Sequence, residues 1–510
     1  MKTYKPLFLS IVLIALNAFA DRYVSPPGGY GTNNPPYANW ADAATNIQWA
    51  VNVATNNETV WVTNGNYALT NQIFVTNGAV LRSVNGRTNT FVNGNYPDCS
   101  NRCFYINNAT SVVDGFMISN SWYSNSVSGG GGAVYIYRGL LKNCAVFSNW
   151  FYGDTNTYYG GGGVYLEKSD AVVSNCLIHG NTVVGGYGGG GVCMRGGKVL
   201  GCVVSNNNAL LTSGGRGGGV LSFADNGSEV IDSEIVNNRA HTGGIMTYGN
   251  ATVRGCKINN NYGDTYTIGA FFSRASLTVC ENCTFSGNTG NLAVIYNNYD
   301  QNVIADCVIS NNNGKGIYLS GGMVSNCIIT GSSSYGIDIG TTNTRLYNNL
   351  IEKNQNNGIY LAYGDSVVSC CTIVSNYTSG TGGGIRISST NPNVRIANCV
   401  VVSNAAAGGY NDLHDATAGN IHATNVNYSC AGSFAGFSGA GNVTNVSPLF
   451  TDFIGRNYRL VANSPCVNSG TNESWMTNSV DLDGRVRIRY GVVDMGAYET
   501  LYSGTMILVP

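Results

Sequence analysis

A short pattern recurs through most of this chain, and it constrains the fold more tightly than length or composition does. Its clearest copy is Gly129 to Asn149, GGGGAVYIYRGLLKNCAVFSN. Aligned on the cysteine, twelve copies have anchors at Gly115, Cys144, Cys176, Cys202, Ser233, Cys256, Cys283, Cys307, Cys327, Asn349, Cys371 and Cys399, spaced 20 to 32 residues apart. Two residues after the anchor the side chain is apolar in every copy, as at Met117, Val146, Ile178, Phe285 and Val401. Five residues after it stands Asn in eleven copies, with Ser332 the exception. Immediately before it comes Asn, Asp or Gly in eleven copies, and Cys370 in the other. A recurrence at this spacing marks stacked units, none of which buries its apolar face alone.

The pattern has a physical reading. Val173, Cys176 and Ile178 stand three before, at, and two after an anchor, and all three are expected to point inward. The change of phase between the first two requires a bend, and Asn, Asp and Gly tolerate the left-handed backbone that such a bend uses. A further strand follows each Gly run, at Gly163 to Tyr165, Gly316 to Tyr318 and Gly358 to Tyr360. Three short strands per turn, stacked at about 4.8 Å, predict an all-β solenoid. The expected fold is a single-stranded parallel β-helix of about 12 or more coils. It should be right-handed, as parallel crossovers strongly are. The repeated Asn should form a ladder in which each amide bonds its equivalent in the next coil.

The ends read differently. Lys2 and Lys5 precede the apolar run Leu7 to Leu16, and Ala18-Phe19-Ala20 supplies a small-x-small cleavage site. Residues 1–20 therefore read as a signal peptide, and the protein as secreted or at the cell surface. Residues 21–75 read as a lead-in and cap, with a short helix within Ala41 to Thr55 laid over the open end of the solenoid. Repeats occupy 76–404, a Gly/Ala/Ser-rich connection 405–447, a β-rich C-terminal module 448–500 and a tail 501–510. No later stretch reaches the roughly 18 apolar residues of a membrane span.

Only 10% of residues are charged and the net charge is −1, without a Lys/Arg cluster, so nucleic acid is not an expected partner. Sixteen cysteines in an exported chain would ordinarily suggest a disulfide framework. Most sit at anchors, however, where stacked side chains point the same way, whereas a disulfide needs converging vectors. They read as a column of small buried hydrophobes. Cys99 and Cys103, outside that column, are the disulfide candidate, while Cys280 and Cys283 form a CxxC whose two positions both face inward.

Alternation along the Gly-run strand places Tyr135, Tyr165, Cys193, Leu221, Met246, Phe271, Tyr318, Asp338, Tyr360 and Arg386 on its outer side. Beside them runs Tyr137, Glu167, Arg195, Phe223 and Tyr248. Long loops in the N-terminal half add Trp122, Tyr123, Trp150, Phe151, Tyr152, Tyr158, Tyr159 and Tyr187. Stacked aromatics can stabilise one another across strands, or offer a platform to sugar rings. The second reading makes Tyr135, Tyr137, Tyr165, Trp150, Tyr158, Tyr318 and Tyr360 candidate ligand-binding residues, with an extracellular polysaccharide or a surface partner as the ligand. Val308, Ile328, Leu350 and Val400 are apolar just after their anchors, on the outer side. Chain from beyond residue 404 is expected to cover them.

Closing segments Pro448 to Gly470 and Asp481 to Glu499 carry Pro-Leu-Phe, Tyr458-Arg459-Leu460, Ser464-Pro465, Asp481 with Gly484, and Val493-Asp494 with Gly496 to Glu499. They resemble the choice-of-anchor Q module of exported bacterial proteins, with Asn468 in place of its usual Asp. GGA[IV] and FxxN stretches, such as Gly131 to Val134 and Phe285 to Asn288, are similar to repeats of polymorphic outer-membrane proteins. The opening Trp40 to Thr63 is similar to the start of pectate-lyase-like β-helix proteins. That resemblance implies a scaffold shared by lyases, hydrolases and adhesins. A pectate-lyase-type site needs several carboxylates around Ca²⁺ and a basic residue; a hydrolase needs two carboxylates about 5–9 Å apart. The charged candidates on the Gly-run face are Asp338 with Arg386 and Glu167 with Arg195, both of which also suit cross-strand ion pairs. Asp412, His414 and Asp415 cluster beyond the repeats. No metal set and no cofactor is expected, apart from Ca²⁺ under the lyase alternative. The expected role is polysaccharide binding or surface adhesion, with a lyase or hydrolase, or a purely structural adhesin, as alternatives.

Overall fold

The computed structural model describes residues 21–501 apart from 126–128, 154–158, 211–216, 224–226, 342, 392, 418–420, 423 and 435. The expected leader and almost all of the expected tail lie outside the described residues, as does Tyr158. The chain winds into a parallel β-helix with three long files of strands and a shorter fourth. One file, here the Gly-run sheet, climbs from Ile73–Val75 through Val164–Leu166 and Ile317–Leu319 to Leu413–Asp415. The second, before the bend, runs from Arg22–Val24 through Thr59–Val62 to Val426–Asn427. The third, after the bend, is a 16-stranded sheet from Gly65–Ala68 to Val443–Thr444.

The bends form as the side chains dictate. Asn143, Asn175, Asp232, Asn282, Asp306, Asn326, Asn348 and Asn398 all have φ between 49° and 57°. A second left-handed residue, unforeseen in the sequence, stands just before the ladder Asn, as at Ser148, Asn206, Asn237 and Lys353. The ladder itself is continuous through long stretches. Asn207 donates its backbone N–H and its amide to Asn238 Oδ1 at 2.9 and 3.0 Å, and Asn238 repeats both bonds to Asn261 at 3.0 Å. The remaining amide hydrogen goes to a carbonyl of the coil beneath, Asn238 Nδ2 to Val204 O at 2.9 Å. Buried amides thus satisfy themselves along the axis.

The cysteine column is more than hydrophobic filling. Cys144 N–H donates to Cys176 Sγ at 3.4 Å and Cys176 N–H to Cys202 Sγ at 3.5 Å. Cys202 N–H donates to Ser233 Oγ at 3.1 Å, Cys327 N–H to Asn349 Oδ1 at 3.0 Å, and Cys399 N–H to Ser429 Oγ at 3.1 Å. Cys176, Cys202, Ser233, Asn349 and Ser429 are therefore small acceptors for the backbone beneath them. This is why Ser and Asn replace Cys there and Ala or Val does not.

Three placements differ from the sequence reading. The first anchor is Phe116 rather than Gly115: Phe116 N–H donates to Cys144 Sγ, and the inward residue two later is Ile118. Gly115 is the left-handed residue before it, so the ladder opens with Ser121. The strand Tyr262–Ser273 carries register shifts that put Phe271 inward, opposite Ile245, and Phe272 in the outer column. Coiling also continues beyond residue 404, through Leu413–Asp415, Val426–Asn427 and Cys430–Ala431. Its anchor there is Ser429.

The helix is shorter than expected, Ile47–Val53. Asn46 caps it by accepting from Gln48 N–H, and Ile47, Ala50 and Val51 are buried in the common core with the first coils. At the other end the chain turns back. The hairpin Phe450–Asp452 and Asn457–Leu460, with the segment up to Glu499, packs on the outer side of the post-bend sheet. Leu350 and Val400 are buried there among Tyr458, Leu460, Met495 and Tyr498, with Ile328 against them; Val308, beyond the covered coils, is exposed. Polar contacts fix the seat: Tyr458 Oη donates to Glu352 at 2.6 Å, Arg456 pairs with the same carboxylate, and Asn398 Oδ1 accepts from Thr471 N–H at 2.7 Å.

The structure leaves Cys99 and Cys103 unpaired. Both are free thiols, and Cys103 is fully buried in the solenoid core, where burial pushes its thiol up to about 12. A four-residue spacing across the start of a strand sends one side chain inward and leaves Cys99 in the preceding loop.

Candidate functional site

The outer column of the Gly-run sheet is one continuous file, but its two halves differ. In the lower half Phe74, Tyr105, Tyr135 and Tyr165 stand above one another. Ring centroids are 5.3 Å apart for Tyr105 and Tyr135 and 5.2 Å for Tyr135 and Tyr165. Arg102 reaches over the rings of Tyr123 and Tyr135 at 4.0 and 5.0 Å. The file continues through Cys193, Leu221, Met246 and Phe272. This half is not an open platform. Tyr165, Cys193, Leu221 and Met246 are fully buried, because Gly-rich loops form a small second sheet, Gly130–Gly131, Tyr159–Gly161 and Tyr187–Gly189, and Gly129 lies against the Tyr165 ring. Glycine is required in that sheet: a Cβ at Gly160 would fall 2.0 Å from Phe151 Cε1.

The sugar-platform reading therefore fails at Tyr165, whose ring is core. Its hydroxyl is buried without a hydrogen-bond partner. Tyr135 is half-buried, and its hydroxyl donates to Glu167 Oε2 at 3.3 Å. Glu167 also pairs with Arg195 at 3.3 Å, which is the cross-strand ion pair the sequence allowed. Tyr137 is half-buried under Lys168, whose Nζ sits 5.2 Å from the ring. Trp150 and Tyr152 are exposed, on a fourth short file that includes Trp122–Asn125 and Thr182–Val184.

Above residue 290 no Gly-rich sheet among the described residues covers the column. It reads Tyr296, Tyr318, Asp338, Tyr360, Arg386 and His414, each directly over the last. All but Asp338 are half-exposed. Lys315 bonds Asp338 Oδ2 at 2.6 Å and lies 5.1 Å from the Tyr318 ring. Asp338 thus takes Lys315, and not Arg386, as its partner. Burial holds the Asp338 carboxyl above its ordinary range, against the pull of Lys315. Tyr335 flanks the file and stacks on Tyr360 at 5.3 Å. Arg386 covers the other part of that ring at 5.7 Å, with its Nε buried and unpartnered. His414 stacks on exposed Tyr410 at 4.1 Å and bonds Thr381 Oγ1 at 2.8 Å. Burial, then the Arg386 charge, lowers the His414 pKa, so the imidazole is neutral at pH 7.

Sequence reasoning named His414 only in a cluster beyond the repeats and left both it and Tyr296 out of the column. The signal was there: Leu413, His414 and Asp415 repeat the inward-outward-inward alternation one coil above Arg386. The neighbouring acids have other work. Asp412 ends the Asn ladder by accepting from Asn404, and Asp415 holds the buried His422 at 3.2 Å.

Chemically, the upper column offers ring faces, a guanidinium and an imidazole in one shallow file. Asp338 is its single carboxylate. Among the described residues, no three His, Cys, Asp or Glu side chains converge as a metal set.

Residues 211–346 and 324–427 match the family described as right handed beta helix region. The fold is a right-handed β-helix. No curated protein matches the sequence. Among solved structures, pectate lyase Pel9A is similar at 14% identity, covering 94% of this chain and 97% of that one, with a TM-score of 0.26. The A-module of the Azotobacter vinelandii mannuronan C-5 epimerase AlgE6 is similar at 12% identity, over 79% of this chain and 95% of that one, with a TM-score of 0.29. The catalytic domain of a GH87 alpha-1,3-glucanase, solved in complex with tetrasaccharides, is similar at 14% identity over 84% and 70%, with a TM-score of 0.34. These likenesses concern the winding of the chain alone. No helix among the described residues is long and apolar enough to cross a membrane.

Proposed function

We propose that this is an exported protein that binds an extracellular polysaccharide along the upper half of the Gly-run face. The observation that carries the reading is the open file Tyr318, Asp338, Tyr360, Arg386 and His414. Tyr318 and Tyr360 lie two coils apart, about 10 Å at ordinary strand spacing. A sugar chain laid along the solenoid axis would meet ring, charge, ring and charge in turn. The apolar faces of pyranose rings suit the exposed parts of the tyrosines, and Arg386 and the Lys315–Asp338 pair suit hydroxyl or carboxylate groups between them. The lower half, sealed by its Gly-rich loops, serves stability instead.

The test is retention of the purified chain, from Asp21 onward, on immobilised acidic and neutral polysaccharides. Tyr360→Ala and Arg386→Ala should each weaken retention about tenfold on the polysaccharide that holds the wild-type chain, since a ring contact or a charge-assisted bond contributes about 1–2 kcal/mol. Tyr165→Phe should leave retention unchanged. Unaltered retention in both upper-face variants overturns the proposal. New ultraviolet absorbance or new reducing ends in the eluate would support the lyase or the hydrolase reading in its place.

A further inference from the structure

We propose that Cys430 and Cys466 are a disulfide site that fastens the C-terminal module to the solenoid. Both are free thiols in this structure and both are fully buried. They belong to the apolar layer between the module and the post-bend sheet, with Val400, Tyr458, Leu460 and Met495. Cys430 is the residue after the anchor Ser429, on the outer side of its strand, and pairs in register with Val400. Cys466 comes from the module, held by Met495 N–H to its carbonyl at 3.0 Å and by its own N–H to Ser464 Oγ at 3.1 Å. The two thiols share that buried layer, each the strongest influence on the other's acidity, while Cys430 Sγ lies 3.8 Å from Val446 O.

The geometry separates this pair from the anchor cysteines. Anchor thiols stack along one axis and point the same way, which disfavours bridging. Cys430 and Cys466 approach from two opposed layers, so their side chains converge. Cys280 also touches two thiols, Cys283 and Cys307, but inside the solenoid, where a bridge to either would strand the other.

The chemistry is thiol–disulfide exchange with a small-molecule or protein disulfide. One of the two cysteines, as its thiolate, attacks one sulfur of the oxidant and expels a thiolate. The other, giving up its proton, then attacks the protein sulfur of the mixed disulfide and expels the second. Two protein thiols are oxidised, one oxidant disulfide is reduced to two thiols, and both protons pass to the released thiolates. Exchange takes place while the module is still undocked, before the layer closes.

To test this, the chain from Asp21 onward is refolded in a buffer of reduced and oxidised glutathione. It is then denatured, alkylated without reductant and digested for mass spectrometry. The expected result is fourteen of the sixteen cysteines alkylated and one linked peptide pair joining Cys430 to Cys466. Cys466→Ser should abolish that link and leave fifteen alkylated thiols, and reductant should lower the denaturant midpoint of the wild-type chain but not of this variant. Sixteen alkylated cysteines, or a link elsewhere with these two free, would overturn the assignment.

Discussion

Among the described residues the Asn ladder has one gap, and filling it tests the account of what holds the coils together. At Ser332 the side chain is too short to take the place of the amide. Its Oγ is buried without a partner, although its backbone N–H still donates to Asn354 Oδ1 at 3.0 Å. Asn312 beneath it bonds downward, Nδ2 to Phe285 O at 2.9 Å, but finds no acceptor in Ser332 above. Room for an amide is present. In the neighbouring coils each ladder Asn packs against a glycine, a Cβ at Gly336 or Gly358 falling 2.7 Å from Asn354 or Asn376 Nδ2, and Gly316 occupies the same place over Ser332. Ser332→Asn should therefore restore two bonds, from the Asn312 N–H and from its amide. At about 1 kcal/mol each, less roughly 0.5–1 kcal/mol for fixing one more side chain, the gain is about 1–1.5 kcal/mol. It should appear as a higher urea midpoint and as about tenfold slower hydrogen exchange at the Asn312 amide. An unchanged or lower midpoint with unslowed exchange would refute the claim that ladder amides stabilise the stack beyond filling space.

Three further outcomes follow from the packing. Burial raises the Glu499 carboxyl to about 8, outweighing Arg487 at 3.3 Å. Its folded pKa thus exceeds its unfolded one, so this contribution is complete below about pH 4.5 and is lost as pH rises through about 8, by at most about 4–5 kcal/mol. Thermal midpoints measured from pH 5 to 9 should fall for the wild-type chain and fall less for Glu499→Gln; parallel curves would contradict this. Gly160→Ala forces a methyl into the Phe151 ring and should destabilise the covering sheet by about 1–3 kcal/mol, seen as faster exchange in Tyr159–Gly161 and at Tyr165, while a silent substitution would mean the cover does not pack as described. Tyr165→Phe deletes a hydroxyl that is buried and unpartnered, so stability should hold or rise by about 1 kcal/mol, and a clear loss would reveal a partner for that group.

The winding of this chain was readable because a few positions obey local rules. A left-handed φ before each anchor selects Asn, Asp or Gly, and a buried amide five residues later selects Asn; both survive in a bare sequence. Gly115 misled because glycine can stand at the bend itself, and only the neighbouring acceptor, Cys144 Sγ, identifies Phe116 as the anchor. Phe271 was misplaced because the extra residues of Tyr262–Ser273 reverse the alternation without a compositional mark. The site was harder. Alternation placed Tyr165 and Tyr360 in the same column, which is correct, but whether a residue on the outer side meets solvent depends on a second layer of chain. Apolar Leu350 and Val400 announced such a layer on the post-bend sheet. On the Gly-run sheet the covering strands are mostly glycine, and glycine carries no side chain from which contact could be inferred.

The returning module changes how the molecule would bear a load. Its contacts fall on Glu352, Thr372 and Asn398 and reach Cys430 in the last turns, so a tether attached beyond Glu499 would grip the solenoid across several coils. Traction would enter through those coils in shear, across many strands at once, with the turn around Cys430 clamped among them. They would then be spared the coil-by-coil peeling to which a tube pulled from its last turn is exposed.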